Sequence, residues 1–139
     1  MEIIVIWEFN NKPVILLGYF ILRIWGVIRK MSKIIYEKAE FEMPQQWKLN
    51  HNKLFKFDLQ KEEGMDNRIW NELSEDILNI VNYESNIILD VGWYPKGSKN
   101  GQYGLVVIEN NDWLKPIETF VTRNTNELIE KITMILNKY

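Results

Sequence analysis

From Asn86 onward, apolar and polar positions alternate with a period of two. Ile87, Leu89, Val91 and Trp93 fall on one side, and Ile88, Asp90, Gly92 and Tyr94 on the other. That period belongs to a half-buried β-strand. Residues 95–101 (PKGSKNG) are dense in turn formers, and Asn100-Gly101 offers the positive φ angles that a tight hairpin needs. Tyr103, Leu105 and Val107 then run back in alternation with Val106 and Ile108. Asn110-Asn111-Asp112 marks a further turn, and residues 117–122, after Pro116, offer a closing strand. Asn124 is placed to cap a last helix, with Glu127 completing a capping box. Leu128, Ile132, Ile135 and Leu136 give that helix one apolar stripe.

Upstream the periods are shorter. Residues 34–41 (IIYEKAEF) read as a strand stopped by Pro44, and Leu54, Phe55 and Phe57 suggest a second one. Residues 61–64 (KEEG) form a charged turn. Asp66 or Asn67 then caps a helix expected to run to about Asn82, because Ile69 or Trp70, Leu73, Ile77 and Ile80 or Val81 recur at helical spacing. Glu72, Glu75, Asp76 and Asn79 would lie on its solvated side. The expected order is β-β-α-β-β-β-α. It defines an α+β domain: a mainly antiparallel sheet of about five strands with two helices packed on one face.

Residues 13–28 (PVILLGYFILRIWGVI) need separate treatment. A spanning helix takes about 20 apolar residues. This run is shorter, and its Arg23 would cost about 2.5–3.5 kcal/mol near mid-bilayer. Glu2 and Glu8 spoil the basic start of a signal peptide, and no small-residue cleavage site follows. Met31 opens an ordinary start, Met-Ser-Lys-Ile, and the patterning begins directly after it. Trp25-Gly26-Val27 must be encoded by TGG-GGN-GTN, which can hold a GGAG ribosome-binding sequence. Residues 1–30 are therefore expected to be a non-native or disordered extension from a mis-assigned start, with one domain over residues 31–139.

Composition narrows the chemistry. Hydrophobic residues make up 46% and charged residues 26%, which is globular. No Cys and a single His remove disulfides, thiol nucleophiles and the usual zinc sites. His51 sits in a polar stretch and reads as an exposed loop residue; Lys96-Gly97-Ser98-Lys99 reads as a hairpin tip, not a phosphate loop. No catalytic centre, cofactor or metal is expected. Residues 1–30 carry four basic side chains (Lys12, Arg23, Arg29, Lys30) against Glu2 and Glu8. Of the 17 basic and 19 acidic side chains, the body thus keeps thirteen and seventeen. A mildly acidic body does not suit nucleic acid and suits a basic partner better.

Acids and aromatics are what remain for a binding surface. The candidates are Glu62, Glu63, Asp66, Glu72 and Asp76, with Trp93, Tyr94 and Trp113 as possible anchors. Two other readings stay open. One is a small carboxylate-dependent hydrolase; the other is a membrane-tethered accessory protein anchored by residues 13–28.

Asp90-Val91-Gly92-Trp93-Tyr94-Pro95, the glycine-containing turn, Gly104-Leu105-Val106-Val107-Ile108 and Trp113 before Pro116 resemble small immunity proteins of bacterial polymorphic-toxin and contact-dependent growth-inhibition systems. The resemblance covers roughly residues 85–139, half of the body. It implies a cytoplasmic protein, without enzymatic activity or stable membrane association, that binds a cognate toxin domain, often a nuclease, and blocks its active site. The intact mass of the native protein is expected to match a chain beginning at Met31. A mass that includes residues 1–30 overturns that start.

Overall fold

A computed structural model describes residues 3–9, 12–13, 33–57, 59 and 67–139. The chain divides into two compact units, Met1–Lys38 and Ala39–Tyr139. In the first, strand β1 (Ile3–Phe9) lies between β2 (Lys12–Pro13) and β3 (Lys33–Glu37) and is antiparallel to both. Residues 34–41 were expected to open the main sheet. Their strand ends at Glu37 and pairs with the N-terminal segment, Ile3 facing Glu37 and Trp7 facing Lys33. Residues 14–32, which hold most of the apolar run 13–28, lie outside the described residues.

The second unit contains β4 (Trp47–Asn52), α1 (Asn67–Glu72), β5 (Leu78–Asn82), β6 (Ile87–Tyr94), β7 (Gln102–Glu109), β8 (Glu118–Thr122) and α2 (Thr125–Lys138). Its strands form an open five-stranded sheet in the order β4-β5-β6-β7-β8, each antiparallel to its neighbours. The unit is α+β, as the patterning required. Alternation sends Leu78 and Ile80, Leu89, Val91 and Trp93, and Tyr103, Leu105 and Val107 to one buried face. Leu128, Ile132, Ile135 and Leu136 of α2 are buried with them, as the stripe predicted, and α1 adds Ile69 and Trp70.

Hydrogen bonds fasten the helix to the far edge of the sheet. The Trp47 indole donates to the Leu136 carbonyl at 3.0 Å, and Asn82 donates through Nδ2 to the Tyr139 carbonyl at 3.3 Å. At the other end of α2, Asn124 Oδ1 accepts from the backbone N–H groups of Asn126 and Glu127. Glu127 does not reach back to the Asn124 N–H directly. The Thr122 hydroxyl stands between them, donating to Glu127 Oε2 at 2.6 Å and accepting from Asn124 N at 3.0 Å. The capping box is thus relayed through one side chain.

Two upstream elements differ from expectation. The helix expected to reach Asn82 stops at Glu72, and residues 78–82 form β5. Ile77, Ile80 and Val81 fit a helical face, but Leu78, Ile80 and Asn82 also alternate inward on a strand. The open ladder of β6 decides between them. Ile77 N–H donates to the Val91 carbonyl at 2.9 Å and Trp93 N–H to the Ser74 carbonyl at 2.8 Å, so tertiary pairing overrides local propensity. The second strand lies at Trp47–Asn52 and not at residues 54–57, because Asn52 Oδ1 accepts the Leu54 N–H and turns the chain there.

Glycine positions carry much of the geometry. Asn100-Gly101 does not supply the left-handed residue of the β6–β7 connection; Gly97 does, at φ 67°. Gly101 instead lies against the Trp93 indole, where a Cβ would meet Nε1 at 2.3 Å. Gly101→Ala is expected to cost about 1–3 kcal/mol through overpacking, and Trp93→Ala about 3–5 kcal/mol through the cavity left behind. Urea unfolding checks both, and a neutral Gly101→Ala contradicts the contact.

Candidate functional site

The helices cover one face of the sheet; the other carries the polar residues of the same strands. The register sets them in rows. His51, Asn79, Asp90, Val106 and Thr119 lie across all five strands in one row, and Gly92, Gly104 and Val121 lie in the next. Tyr94 follows, opposite Gln102.

The glycine pair shapes this surface. Gly92 and Gly104 face one another across β6 and β7, leaving a trough without side chains. The Tyr94 ring lies along it: a Cβ on Gly104 would meet Tyr94 Cδ2 at 3.2 Å, and one on Gly92 would meet the Tyr94 hydroxyl at 2.8 Å. Gly92 has a second constraint. The two backbone bonds flanking it leave Glu75 and Asp76 opposite a single residue, which is a β-bulge. The Glu75 carbonyl comes so close that a Cβ on Gly92 would meet it at 2.3 Å. The bulge places the Glu75 and Asp76 side chains, both exposed, at the edge of the trough.

A hydrogen-bonded chain runs beside it. Asn50 Nδ2 donates to Asn79 Oδ1 at 3.1 Å, and Asn79 Nδ2 donates to Asp90 Oδ1 at 2.9 Å. His51 Nε2 lies 3.1 Å from the Asp76 carbonyl, which also accepts from the Ser74 hydroxyl at 3.1 Å. Since a carbonyl only accepts, the His51 proton on that contact sits on Nε2. Burial pushes the Asp90 carboxyl above its ordinary range, and the neighbouring Asp76 carboxylate adds to the rise; the Asn79 amide and His51 act the other way. The Tyr94 phenol is also raised, first by partial burial and then by the negative charges of Asp90, Glu75 and Asp76. The site is a shallow acidic field around one half-exposed aromatic ring. Among the described residues no group of three His, Asp or Glu side chains is placed to hold a metal ion.

The structure brings together only two of the residues chosen from sequence, Asp76 and Tyr94. Glu62, Glu63 and Asp66 lie outside the described residues. Glu72 is exposed at the end of α1, on the helix-covered side. Trp93 is no surface anchor. It is fully buried, its indole donating to the Ser98 carbonyl at 2.9 Å, because β6 alternation turns it inward beside Tyr94. Trp113 is 54% exposed but belongs to the loop between β7 and β8, at the opposite end of β7 from Tyr94. Glu75, Asp90, Asn79 and His51 enter the site unanticipated. Helical spacing places Glu75 and Asn79 on a solvated helix face, which the strand β5 replaces, and His51 lies in β4 instead of a loop. Asp90, a lone carboxylate inside an otherwise apolar strand, was the one legible signal.

No helix among the described residues is long and apolar enough to cross a membrane. No family model matches the chain, and neither a curated protein nor a solved structure does.

Folding raises the Asp90 pKa above its ordinary 3.8, so the folded state holds that proton more tightly than the unfolded chain. The stability this gives is full below the unfolded value and is lost as pH rises through the folded one. Asp90→Asn keeps the acceptor for Asn79 and is expected to flatten this decline between about pH 4 and 7 without loss of stability at neutral pH. Urea titrations at both pH values test it. A loss above about 1 kcal/mol at pH 7 would mean that the charged form is stabilising there.

Proposed function

We propose that this chain is an immunity protein, acting in the cytoplasm as a stoichiometric inhibitor that occludes the active site of a basic toxin domain. The observation that carries the reading is the sheet face opposite the helices, which no described element of the second unit covers. Tyr94 lies over the Gly92–Gly104 pair with Glu75, Asp76 and Asp90 around it. A half-exposed aromatic in a preset position makes a binding anchor at low entropic cost. Surrounding carboxylates would steer and orient a Lys- or Arg-rich groove, and they disfavour phosphate, so this face does not suit nucleic acid. The resemblance of Asp90 to Pro95 and Gly104 to Ile108 to immunity proteins falls on these same strands, which supports the reading independently of the electrostatics.

The chain is expected to protect a host that expresses the toxin domain encoded by a neighbouring gene, and to bind that domain one to one. Tyr94→Ala is expected to weaken the complex by about 2 kcal/mol or more, as a hot-spot truncation does. Asp76→Lys is expected to slow association and reduce its salt dependence. Calorimetry and stopped-flow binding measure these. Failure of protection, or full affinity in both variants, refutes the function or its site respectively.

A further inference from the structure

The two edges of the main sheet are built differently. On β4 the register shifts between Leu49 and His51, and Lys48 lies in the strand. A bulge and a lysine are ordinary devices that stop an edge from pairing with another chain. The β8 edge has neither. Glu118–Thr122 pairs with β7 residue for residue, contains no Pro or Lys, and among the described residues pairs with no other strand. Its single charge, Glu118, points to α2. Glu118 sits 2.6 Å from Lys138 Nζ and 3.1 Å from Lys131 Nζ, both on α2, and these ammonium groups hold its carboxyl below the usual range.

We propose that the β8 edge is a dimerisation edge, on which a second copy of this chain adds antiparallel to give a continuous ten-stranded sheet. An unpaired ladder accepts only an extended backbone. A two-fold through Phe120 makes this strand its own complement. Thr119 then faces Val121 of the second copy on the outer side, two β-branched residues suited to cross-strand packing. Glu118 faces Thr122, so the two carboxylates do not face one another. Exposed apolar residues flank the edge on both sides: Val121 is 60% exposed, Met134 of α2 66% and Ile117 44%. Met134 lies with Glu118, Lys131, Ile135 and Lys138 along the shallow trough between α2 and β8. The symmetric partner would cover that trough with the same mixed-sign helix. The proposal does not rest on toxin binding.

Sedimentation equilibrium of the full chain, from micromolar to sub-millimolar concentration, tests the proposal. The expected result is a reversible dimer whose dissociation constant rises on the order of tenfold or more in Val121→Lys, a lysine placed as natural edges place one. Near-ultraviolet circular dichroism of the buried Trp93 confirms that the variant is folded. The chain has no Cys, so mixing Thr119→Cys with Val121→Cys protein gives a clean second readout: oxidation should link the two into a heterodimer. A chain that stays monomeric throughout, a dimer that Val121→Lys leaves intact, or absence of the mixed disulfide in a confirmed dimer each overturns the proposal.

Discussion

Trp93 is fully buried at the point where β6 leaves the sheet, and most of the second unit is arranged around its indole. The ring meets Tyr103 edge-on at 4.9 Å between centroids and tilts against Trp70 of α1 at 6.2 Å. Gly101 lies against Nε1 because no larger residue could, and Ser98 supplies the acceptor that a buried indole N–H requires. Arg123 closes the arrangement. Its guanidinium lies 5.5 Å from the indole and donates to the carbonyls of Gly101 and Lys99, binding the 95–101 loop to the start of α2. One side chain therefore couples the short helix, the central hairpin and the capped end of the long helix.

The same strand joins this core to the candidate site. Successive residues of a strand point to opposite faces, so burying Trp93 obliges Tyr94 to stand on the side away from the helices. Gly92 then does two things. It admits the Glu75 carbonyl, which creates the bulge bearing Glu75 and Asp76, and it leaves room for the Tyr94 ring. A side chain at Gly92 would push away both the ring and the carboxylates around it. Packing on one face and electrostatics on the other are thus set by three consecutive residues.

Asp90 shows the cost of such a surface. Its carboxylate is partly withdrawn from water and lies close to Asp76, and the Asn50–Asn79 amide chain offsets only part of that penalty. Residues held in this way are poor choices for stability alone.

The sequence by itself determined the elements whose signals are local and concordant. The alternation of Ile87 to Trp93 and Tyr103 to Val107, the turn at Asn110-Asn111-Asp112, and the cap at Asn124 are each read within a few residues and appear as read. Where one segment satisfied two periods, the answer lay elsewhere in the chain. Residues 77–82 fit a helix face as well as a strand, and the vacant ladder of β6 made them β5. The same reassignment moved Asp76 and Asn79 from a solvated helix to the edge and row of a sheet face, where His51 and Asp90 meet them. Trp93 and Tyr94, neighbours of like chemistry, went to opposite fates for the same reason. Composition could offer both as anchors, but only the side on which the helices closed decided which ring was buried and which was left facing solvent.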